Sequence, residues 1–247
     1  MSTSNYNLSV FKTIDGLNKA AAAFIMDAAH DAIAARGRFV ISLSGGQTPA
    51  GLYKLLATTP YKTSLPWKNI FIFWGDERCV PLDDERNNAY QAKRILLDGI
   101  EIPPKNIHRI QTNLAPEQAA IAYEKEISSF FKGAEQRFDL ILLGLGENGH
   151  TASIFPSTDI INEKAEAVRA VYATEEKKFR VSMTAPLINQ AHQILFLVTG
   201  ISKAMVLKNV LTGTYQPAIY PAQLIKPFPG MLNWFTDEGA ASLLQNE

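Results

Sequence analysis

The segment Phe138–Pro156, FDLILLGLGENGHTASIFP, combines an apolar run with residue types that can carry out chemistry. The apolar run ends in closely spaced glycines, and His150 follows them. Glycines allow a ligand to approach the backbone, and a histidine just beyond a strand can act on that ligand. This arrangement indicates the wall of an active site. A helix-capping or core histidine is the alternative interpretation of His150.

Two other predicted strands also end in polar or glycine-rich residues. Phe39–Thr48 has the sequence FVISLSGGQT, and Ile70–Arg78 has the sequence IFIFWGDER. Because ligands of parallel α/β sheets bind at the carboxyl ends of the strands, we expect these two segments to meet the His150 segment there. The three strand ends therefore predict one cleft at the carboxyl edge of a parallel sheet.

The loop Ser44–Pro49, SGGQTP, is suited to binding a phosphate. Its glycines leave backbone N–H groups free, and the helix predicted to follow points its positive end at the loop. Arg78, Arg180 and Lys203 lie near the ends of other predicted strands, where a cation can neutralise a phosphate. A plain strand-to-helix turn and ordinary surface cations are the alternative interpretation.

The residues 144–149 also satisfy the G-x-G-x-x-G pattern of dinucleotide-binding folds. That pattern requires a helix that starts at the glycines and faces the pyrophosphate. Pro156 follows so closely that it leaves room for about two helical turns at most. Glu175, the candidate for the ribose contact, also comes late in the sequence. A nicotinamide or flavin site is therefore not expected.

The sequence lacks the signatures of other hydrolases and of metal sites. Ser44 is preceded at two residues by Ser42, and not by the glycine of a G-x-S-x-G motif. The histidines show no H-E-x-x-H or similar spacing, so we expect neither a metal nor a cofactor. Structural roles are expected for the three histidines outside the motif, His30, His108 and His192.

The composition limits the classes of partner. Of the 247 residues, 47% are apolar and 19% are charged, as in globular proteins. The formal net charge of zero argues against a nucleic-acid or membrane-surface binder, but it permits an anionic small substrate that needs only a few local cations. The single Cys79 fits a reducing compartment, and neither a signal peptide nor a membrane-spanning apolar run is seen. We expect a soluble, cytoplasmic protein.

Helical and strand patterns alternate along the chain, which predicts an α/β fold. We expect a single domain, residues 1–247, with a mainly parallel, Rossmann-like sheet and helices on both faces. Helices are predicted over residues 17–35, 49–55, 88–97, 116–131 and 202–211, with a short one after Asp237. Strands are predicted over residues 39–43, 70–74, 138–143, 168–173, 180–183, 193–198 and 232–235. Thr48 is expected to cap the second helix and Gly133 to end the fourth.

Several blocks of the sequence resemble, in order, those of the 6-phosphogluconolactonase family. They are SLSGGQTP, GDERCVP followed by two asparagines, GLGENGHTASIFP, RVSMTAPLIN and TGISKA. The terminal segments PAQLI and LNWFTDEGAA match as well, so the resemblance extends from about residue 10 to about residue 245. The G-H-T-A-S-x-F-P block is a specific signal for this family.

The resemblance implies hydrolysis of 6-phospho-D-glucono-1,5-lactone, a step of the oxidative pentose phosphate pathway. His150 would be the general base that takes a proton from the attacking water, and a neutral imidazole suits this role. The lactone is an activated ester, so neither a metal nor a covalent nucleophile is required. Positions that resemble phosphate- or substrate-contacting residues are Ser44, Gly45, Gly46, Arg78 and Lys203, with Arg180 as a weaker candidate and Asp76 and Asn148 as supporting residues.

The wider superfamily includes glucosamine-6-phosphate deaminase, which shares the SGG loop and the G-H element. The corresponding segment of deaminases is similar to D-G-H-I-A-F-N-E-P, with a glutamate five residues after the histidine. This chain has Phe155 at that position. They also carry D-E-Y where this chain has Asp76, Glu77 and Arg78. These differences favour the lactonase over a deaminase-like isomerase.

One position departs from the lactonase pattern. Asn148 stands where the family commonly has the aspartate of D-G-H. An amide can imitate that carboxylate only by hydrogen bonding, so we expect a weaker or differently pH-tuned activity. Residues two apart need not face each other across Gly149, so the contact with His150 is itself an expectation. A sugar-phosphate sensor that has lost turnover is the non-enzymatic alternative.

Overall fold

A computed structural model describes residues 6–132, 135–174 and 176–244 of the chain. Nine strands lie in these ranges: β1 (Asn7–Phe11), β2 (Phe39–Leu43), β3 (Ile70–Trp74), β4 (Asp76–Arg78), β5 (Leu140–Leu143), β6 (Val168–Ala173), β7 (Lys178–Met183), β8 (Gln193–Val198) and β9 (Met231–Asp237). Six of them form one sheet in the order β1, β9, β8, β5, β2, β3, and every neighbouring pair is parallel. The predicted α/β fold with a mainly parallel sheet is confirmed.

Eight α-helices lie in the same ranges: α1 (Ile14–Arg36), α2 (Gln47–Leu56), α3 (Tyr61–Ser64), α4 (Asn88–Ile95), α5 (Pro116–Phe131), α6 (Ala185–Ile188), α7 (Ala204–Leu211) and α8 (Glu238–Ala241). The longest, α1, begins where the Thr13 side chain accepts a hydrogen bond from the Gly16 N–H, and it ends at Gly37 in the left-handed conformation. Such caps supply partners for backbone groups at the helix ends. None of these helices is both long and apolar enough to cross a membrane.

The central strands of the parallel sheet are the most buried elements. All five residues of β2 and all four of β5 are buried, as expected where helices cover both faces of a sheet. Continuous apolar runs therefore mark these strands in the sequence. Strands β2, β3 and β8 have the predicted bounds, whereas β5 begins at Leu140, two residues later than predicted. The cleft is expected at the ends of β2, β3 and β5.

The second sheet departs from the predicted alternation of strands and helices. It contains β4, β7 and β6 in antiparallel pairing, with Asp76 opposite Ser182 and Arg78 opposite Arg180. Gly75 alone links β3 to β4, so no helix separates these two strands. The predicted strands over residues 168–173 and 180–183 exist, but they lie outside the parallel sheet.

Three smaller features of the fold compare differently with the predictions. Gly46, and not Thr48, is the N-cap of α2, and the Thr48 hydroxyl instead lies 3.1 Å from that of Thr199. Strand β1 is absent from the prediction because this edge strand is half exposed and has no continuous apolar run. Helix α5 has its predicted bounds, whereas Gly133 lies outside the described residues.

Candidate active site

The ends of β2, β5 and β8 and the small antiparallel sheet enclose a cleft of about 720 Å³. Eight of the nine predicted site residues line it: Ser44, Gly45, Gly46, Asp76, Arg78, His150, Arg180 and Lys203. The ninth, Asn148, is in contact with His150. The structure thus brings the predicted residues to one place, while their roles stay predictions.

The His150 ring is held by the residue two positions before it. Its Nδ1 lies 2.6 Å from Oδ1 of Asn148, and the same oxygen accepts a hydrogen bond from the His150 backbone N–H at 3.2 Å. An amide oxygen only accepts hydrogen bonds, so in the neutral ring Nδ1 carries the proton and Nε2 carries the lone pair. The expected contact across Gly149 is therefore present, and Nε2 is the basic nitrogen.

The surroundings of His150 keep its ring neutral. Burial lowers the pKa of His150 to about 4, because it disfavours the charged imidazolium. Among the nearby charges, Asp76 and Glu176 oppose this lowering of the pKa, while Arg180 and Lys203 add to it. At neutral pH the ring is therefore ready to accept a proton.

Glycines shape the loop around His150. A Cβ at Gly146 would lie 2.1 Å from His150 Nδ1, so only glycine leaves room for the ring. Gly149 has a φ of 82°, in the left-handed region, and a Cβ there would lie 2.9 Å from Tyr220 Cα. The next helical element after these glycines is the 3₁₀ turn Asp159–Asn162. The G-x-G-x-x-G pattern here accommodates an imidazole, and it lacks the helix that a dinucleotide site requires.

The glycine loop after β2 is held against α2. The Tyr53 hydroxyl lies 3.1 Å from the Ser44 nitrogen and donates to the Ser44 carbonyl oxygen at 2.7 Å. Gly46 has a φ of 102° and caps α2 without a side chain. Within the described part of the chain, the backbone N–H groups of Gly45 and Gly46 have no acceptor. The loop therefore has free donors at the positive end of a ten-residue helix.

Arg78 is tied to the same loop through Asn88. Arg78 Nη1 donates to Asn88 Oδ1 at 2.7 Å and to the Arg86 carbonyl oxygen at 2.9 Å. Asn88 approaches the glycine loop so closely that a Cβ at Gly45 would lie 1.9 Å from its Oδ1. Over the described ranges, Arg78 Nε and Nη2 make no hydrogen bond. They are available to a ligand in the cleft.

Arg180 is buried and already paired with two carboxylates. Its Nη1 lies 3.3 Å from Asp76 Oδ2, and its Nη2 is hydrogen-bonded to Glu176, whose pKa this bond holds below the usual value. The guanidinium carbon is 5.5 Å from the centre of the Phe155 ring, which lies 4.6 Å from the centre of the His150 ring. Arg180 thus holds acidic side chains at the cleft.

Lys203 has a weaker partner than Arg180. Its Nζ lies 3.8 Å from Oε1 of Glu147, and two thirds of the Glu147 side chain is exposed. Both residues line the cleft. Exposed ion pairs contribute little to stability, so Lys203 can exchange Glu147 for the anion of a ligand.

Sequence reasoning missed three residues that line or organise the cleft, Glu147, Ser153 and Glu176. Ser153 donates to Asp76 Oδ2 at 2.5 Å, and its place in the G-H-T-A-S block is the signal that could have found it. The mixed charge run over residues 174–180 predicts a solvated turn, yet Glu176 lines the cleft. Glu147 was also missed, because nothing in the sequence indicates its contact with Lys203.

Comparisons with known proteins give the family of this chain. A family model described as glucosamine-6-phosphate isomerases/6-phosphogluconolactonase matches residues 12–234. A 6-phosphogluconolactonase of Haemophilus influenzae is 42% identical over 204 residues, which are 83% of this chain and 87% of the relative. A 6-phosphogluconolactonase of Synechocystis is 42% identical over 218 residues, 87% of this chain and 88% of the relative.

Solved structures give the same result at the level of the fold. A 6-phosphogluconolactonase from Trypanosoma cruzi superimposes with a TM-score of 0.86 at 28% sequence identity, and the match covers 97% of each chain. The family match spans all the strand ends that form the cleft, from the glycine loop after β2 to the loop after β8. This chain therefore belongs to the glucosamine-6-phosphate isomerase/6-phosphogluconolactonase family.

Proposed function

We propose that this chain is an enzyme that hydrolyses 6-phospho-D-glucono-1,5-lactone to 6-phospho-D-gluconate, in the oxidative branch of the pentose phosphate pathway. The two curated relatives at 42% identity bear the name 6-phosphogluconolactonase. The observation that carries the proposal is the contact of His150 Nδ1 with Asn148 Oδ1, which leaves a basic nitrogen in a cleft that contains three cations. We place the whole site in one domain formed by the chain.

His150 is the general base of this reaction. Its Nε2 takes a proton from water while the water oxygen bonds to the C1 carbonyl carbon of the lactone. The bond between C1 and the ring oxygen then breaks, and the imidazolium returns its proton to that oxygen. The products are a hydroxyl group and a carboxylic acid that ionises at neutral pH. The negative charge of Asp76 favours the imidazolium as it forms.

The phosphate of the substrate binds between the glycine loop, Arg78 and Lys203. The free N–H groups of Gly45 and Gly46 and the positive end of α2 supply hydrogen-bond donors, and the two cations supply charge. Arg180 is the weaker candidate, because its guanidinium already pairs with two carboxylates.

Phe155 separates this proposal from a deaminase-like isomerase. Its ring centre lies 4.6 Å from that of His150, at the position where the deaminase pattern has a glutamate. An aromatic ring cannot exchange protons with substrate, so the acid–base partner of the deaminase pattern is missing here. A non-catalytic sugar-phosphate binder is compatible with Phe155, and turnover is what distinguishes it.

A pH-stat assay with freshly prepared lactone tests the proposal. We expect the purified protein to release acid faster than spontaneous hydrolysis does, and to release no ammonia from glucosamine 6-phosphate. Tight binding of the sugar phosphate without faster acid release would identify a sensor instead.

The metal-free part of the proposal is tested separately. No group of three or more His, Cys, Asp or Glu side chains in the described residues is placed to hold a metal ion. We expect protein that has been treated with EDTA and then dialysed to keep its full rate of lactone hydrolysis. A rate that falls after EDTA and returns with a divalent cation would contradict the metal-free mechanism.

A further inference from the structure

Ser153 joins the His150 loop to an acid in the cleft wall. Its side chain is fully buried, and its hydroxyl donates to Asp76 Oδ2 at 2.5 Å. Ser153 follows His150 by three residues in the G-H-T-A-S block. The loop that carries the proposed base is therefore bonded directly to the Asp76 carboxylate.

Asp76 depends on Ser153 more than on its second donor. Arg180 Nη1 lies 3.3 Å from the same Oδ2, and this guanidinium also binds Glu176. The Ser153 bond is shorter, and the serine hydroxyl has no other acceptor within the described residues. Asp76 Oδ1 accepts no hydrogen bond in those ranges. Without Ser153, the carboxylate is held by one longer bond from a shared guanidinium.

The backbone of Ser153 is fixed as well. Its N–H donates to the Ser182 hydroxyl at 3.1 Å, and that hydroxyl donates to the Met183 carbonyl oxygen at 2.9 Å. Ser182 is the residue opposite Asp76 in the β4–β7 pair. Ser153 is thus bound to strands β4 and β7 of the small sheet, and the separation of Asp76 from the His150 loop is set by these bonds.

We propose that Ser153 is a positioning residue that holds the Asp76 carboxylate where its charge acts on the His150 ring. This inference rests on the proposed function. Asp76 and His150 line the same cleft, and a negative charge fixed there stabilises the imidazolium that forms as water attacks. The charged groups that act on the ring are Asp76 on β4, Arg180 on β7, Glu176 in the β6–β7 turn and Lys203 before α7.

Steady-state kinetics of Ser153→Ala test this role. We expect kcat to fall about tenfold through the loss of one positioned hydrogen bond, while KM stays within about twofold because the phosphate contacts are untouched. Ser42→Ala is the matched control. Ser42 is equally buried, and its hydroxyl makes a long 3.9 Å contact with Met183 Sδ. This control should keep the wild-type kcat.

A double-mutant cycle separates positioning from general packing. If Ser153 acts through Asp76, Ser153→Ala should cause little further loss of kcat in the Asp76→Asn background. A full tenfold loss in that background overturns the inference, and so does an equal loss in Ser42→Ala. A rise in KM alone also contradicts it.

An NMR titration of the His150 ring tests the coupling without turnover, so a failure of the lactonase proposal can be told from a failure of this one. Asn148→Asp is the background, because a carboxylate there raises the ring pKa from about 4 into an accessible range. We expect Asp76→Asn to lower this pKa, Ser153→Ala to lower it less, and Ser42→Ala to leave it unchanged. An unchanged pKa in Ser153→Ala, or in Asp76→Asn, overturns the inference.

Discussion

In the proposed mechanism, His150 is a weak base whose surroundings favour one proton transfer. Burial lowers its pKa to about 4, so the free ring is neutral at working pH but binds a proton weakly. Catalysis therefore depends on groups that favour the imidazolium as it forms. Asn148 Oδ1 accepts a hydrogen bond from His150 Nδ1, 2.6 Å away, and the Asp76 carboxylate supplies negative charge. The base and Asn148 thus lie on one loop, and the Asp76 carboxylate comes from strand β4.

Removal of the His150 ring tests its role directly. We expect His150→Ala to lower kcat by roughly 10²–10⁴-fold, the usual contribution of a positioned general base. Binding of 6-phospho-D-gluconate should change little, because the phosphate contacts lie on other residues. His30→Ala, on the exposed side of α1, is the control and should keep wild-type activity. A His150→Ala variant with more than half of the wild-type rate would remove His150 from the mechanism.

The contact with Asn148 predicts a shift in the pH profile. The protonated ring is inactive as a base, so kcat/KM should fall as pH drops through the His150 pKa of about 4. In Asn148→Asp, a carboxylate accepts the hydrogen bond from Nδ1–H, stabilises the imidazolium and raises the pKa of His150. The acidic limb should therefore move to higher pH, and the plateau rate should rise. pH–rate profiles of both proteins, corrected for spontaneous hydrolysis, decide this. Superimposable acidic limbs would show that residue 148 does not tune the base.

If Arg78 and Lys203 bind the phosphate, their removal should change the substrate preference. Arg78→Ala and Lys203→Ala should each mainly raise KM. The increase should correspond to a loss of binding free energy of about 1.5–3 kcal/mol, the contribution of one charge-assisted hydrogen bond. Both variants should also discriminate less against unphosphorylated gluconolactone. Lys105→Ala is the control, because Lys105 is exposed and is not among the residues that line the cleft. If both variants kept the wild-type preference for the phosphorylated lactone, the assignment would be wrong.

Single residues were predictable from the sequence where they stand at a strand end or in a distinctive block. His150 and the glycine loop follow continuous apolar runs, so their position at one edge of the sheet follows from the fold class. Ser153 and Glu147 stand in the same block as His150, but their contacts with Asp76 and Lys203 could not be predicted from it. Their roles depend on which side chains the folded loops bring within a few ångströms, and hydrophobic periodicity carries no such information.

At the scale of elements, a buried acid holds the start of α4. Glu77 accepts hydrogen bonds from the backbone N–H groups of Arg78, Asn88 and Ala89 at 2.8, 2.7 and 2.9 Å. Burial nevertheless raises the pKa of Glu77 to about 7, while these three bonds oppose the shift. Since Asn88 contacts both Arg78 and the glycine loop, the position of α4 should affect the proposed phosphate site.

This acid predicts a pH dependence of stability. Between about pH 4.3, the ordinary value for a glutamate, and about pH 7, the folded chain keeps a proton on Glu77 that the unfolded chain has released. The free energy of unfolding should therefore decrease as pH rises through this window. In Glu77→Gln this contribution should be absent, whereas Glu117→Gln, on the exposed first turn of α5, should keep it. Urea unfolding at several pH values measures the slope, and identical slopes in wild type and Glu77→Gln contradict the assignment.

Elements were predictable where one hydrophobic pattern dominates. The largely buried strands β2, β3 and β8 have continuous apolar runs, and their bounds follow from the sequence. The three-residue strand β4 contains Asp76, Glu77 and Arg78, and this polar sequence has no strand pattern. The strand forms because it pairs with β7. Such a strand depends on its partner, so local propensity does not indicate it.

At the scale of the whole molecule, the charges balance overall and also within the cleft. The chain has a formal net charge of zero, and the cations Arg78, Arg180 and Lys203 share the cleft wall with three acids, Asp76, Glu147 and Glu176. A doubly charged phosphate can displace the exposed Glu147 from Lys203 more easily than the buried Asp76 from Arg180. The buried pair should therefore persist in the complex, while the exposed pair opens.

Because the cleft is built from loops after separate strands, a ligand that bridges them should stabilise the whole fold. The free energy of unfolding should rise by about 2.7 kcal/mol when 6-phospho-D-gluconate is present at one hundred times its Kd. For a chain of this size, that corresponds to an increase in Tm of roughly 5–11 °C. Unphosphorylated gluconate at the same concentration should raise Tm much less, and the response to 6-phospho-D-gluconate should shrink in Arg78→Ala but persist in Lys105→Ala. Calorimetric melting curves of the three proteins measure this. Equal stabilisation by the two sugar acids would show that the phosphate does not contribute to binding and that the glycine loop and its cations serve another ligand.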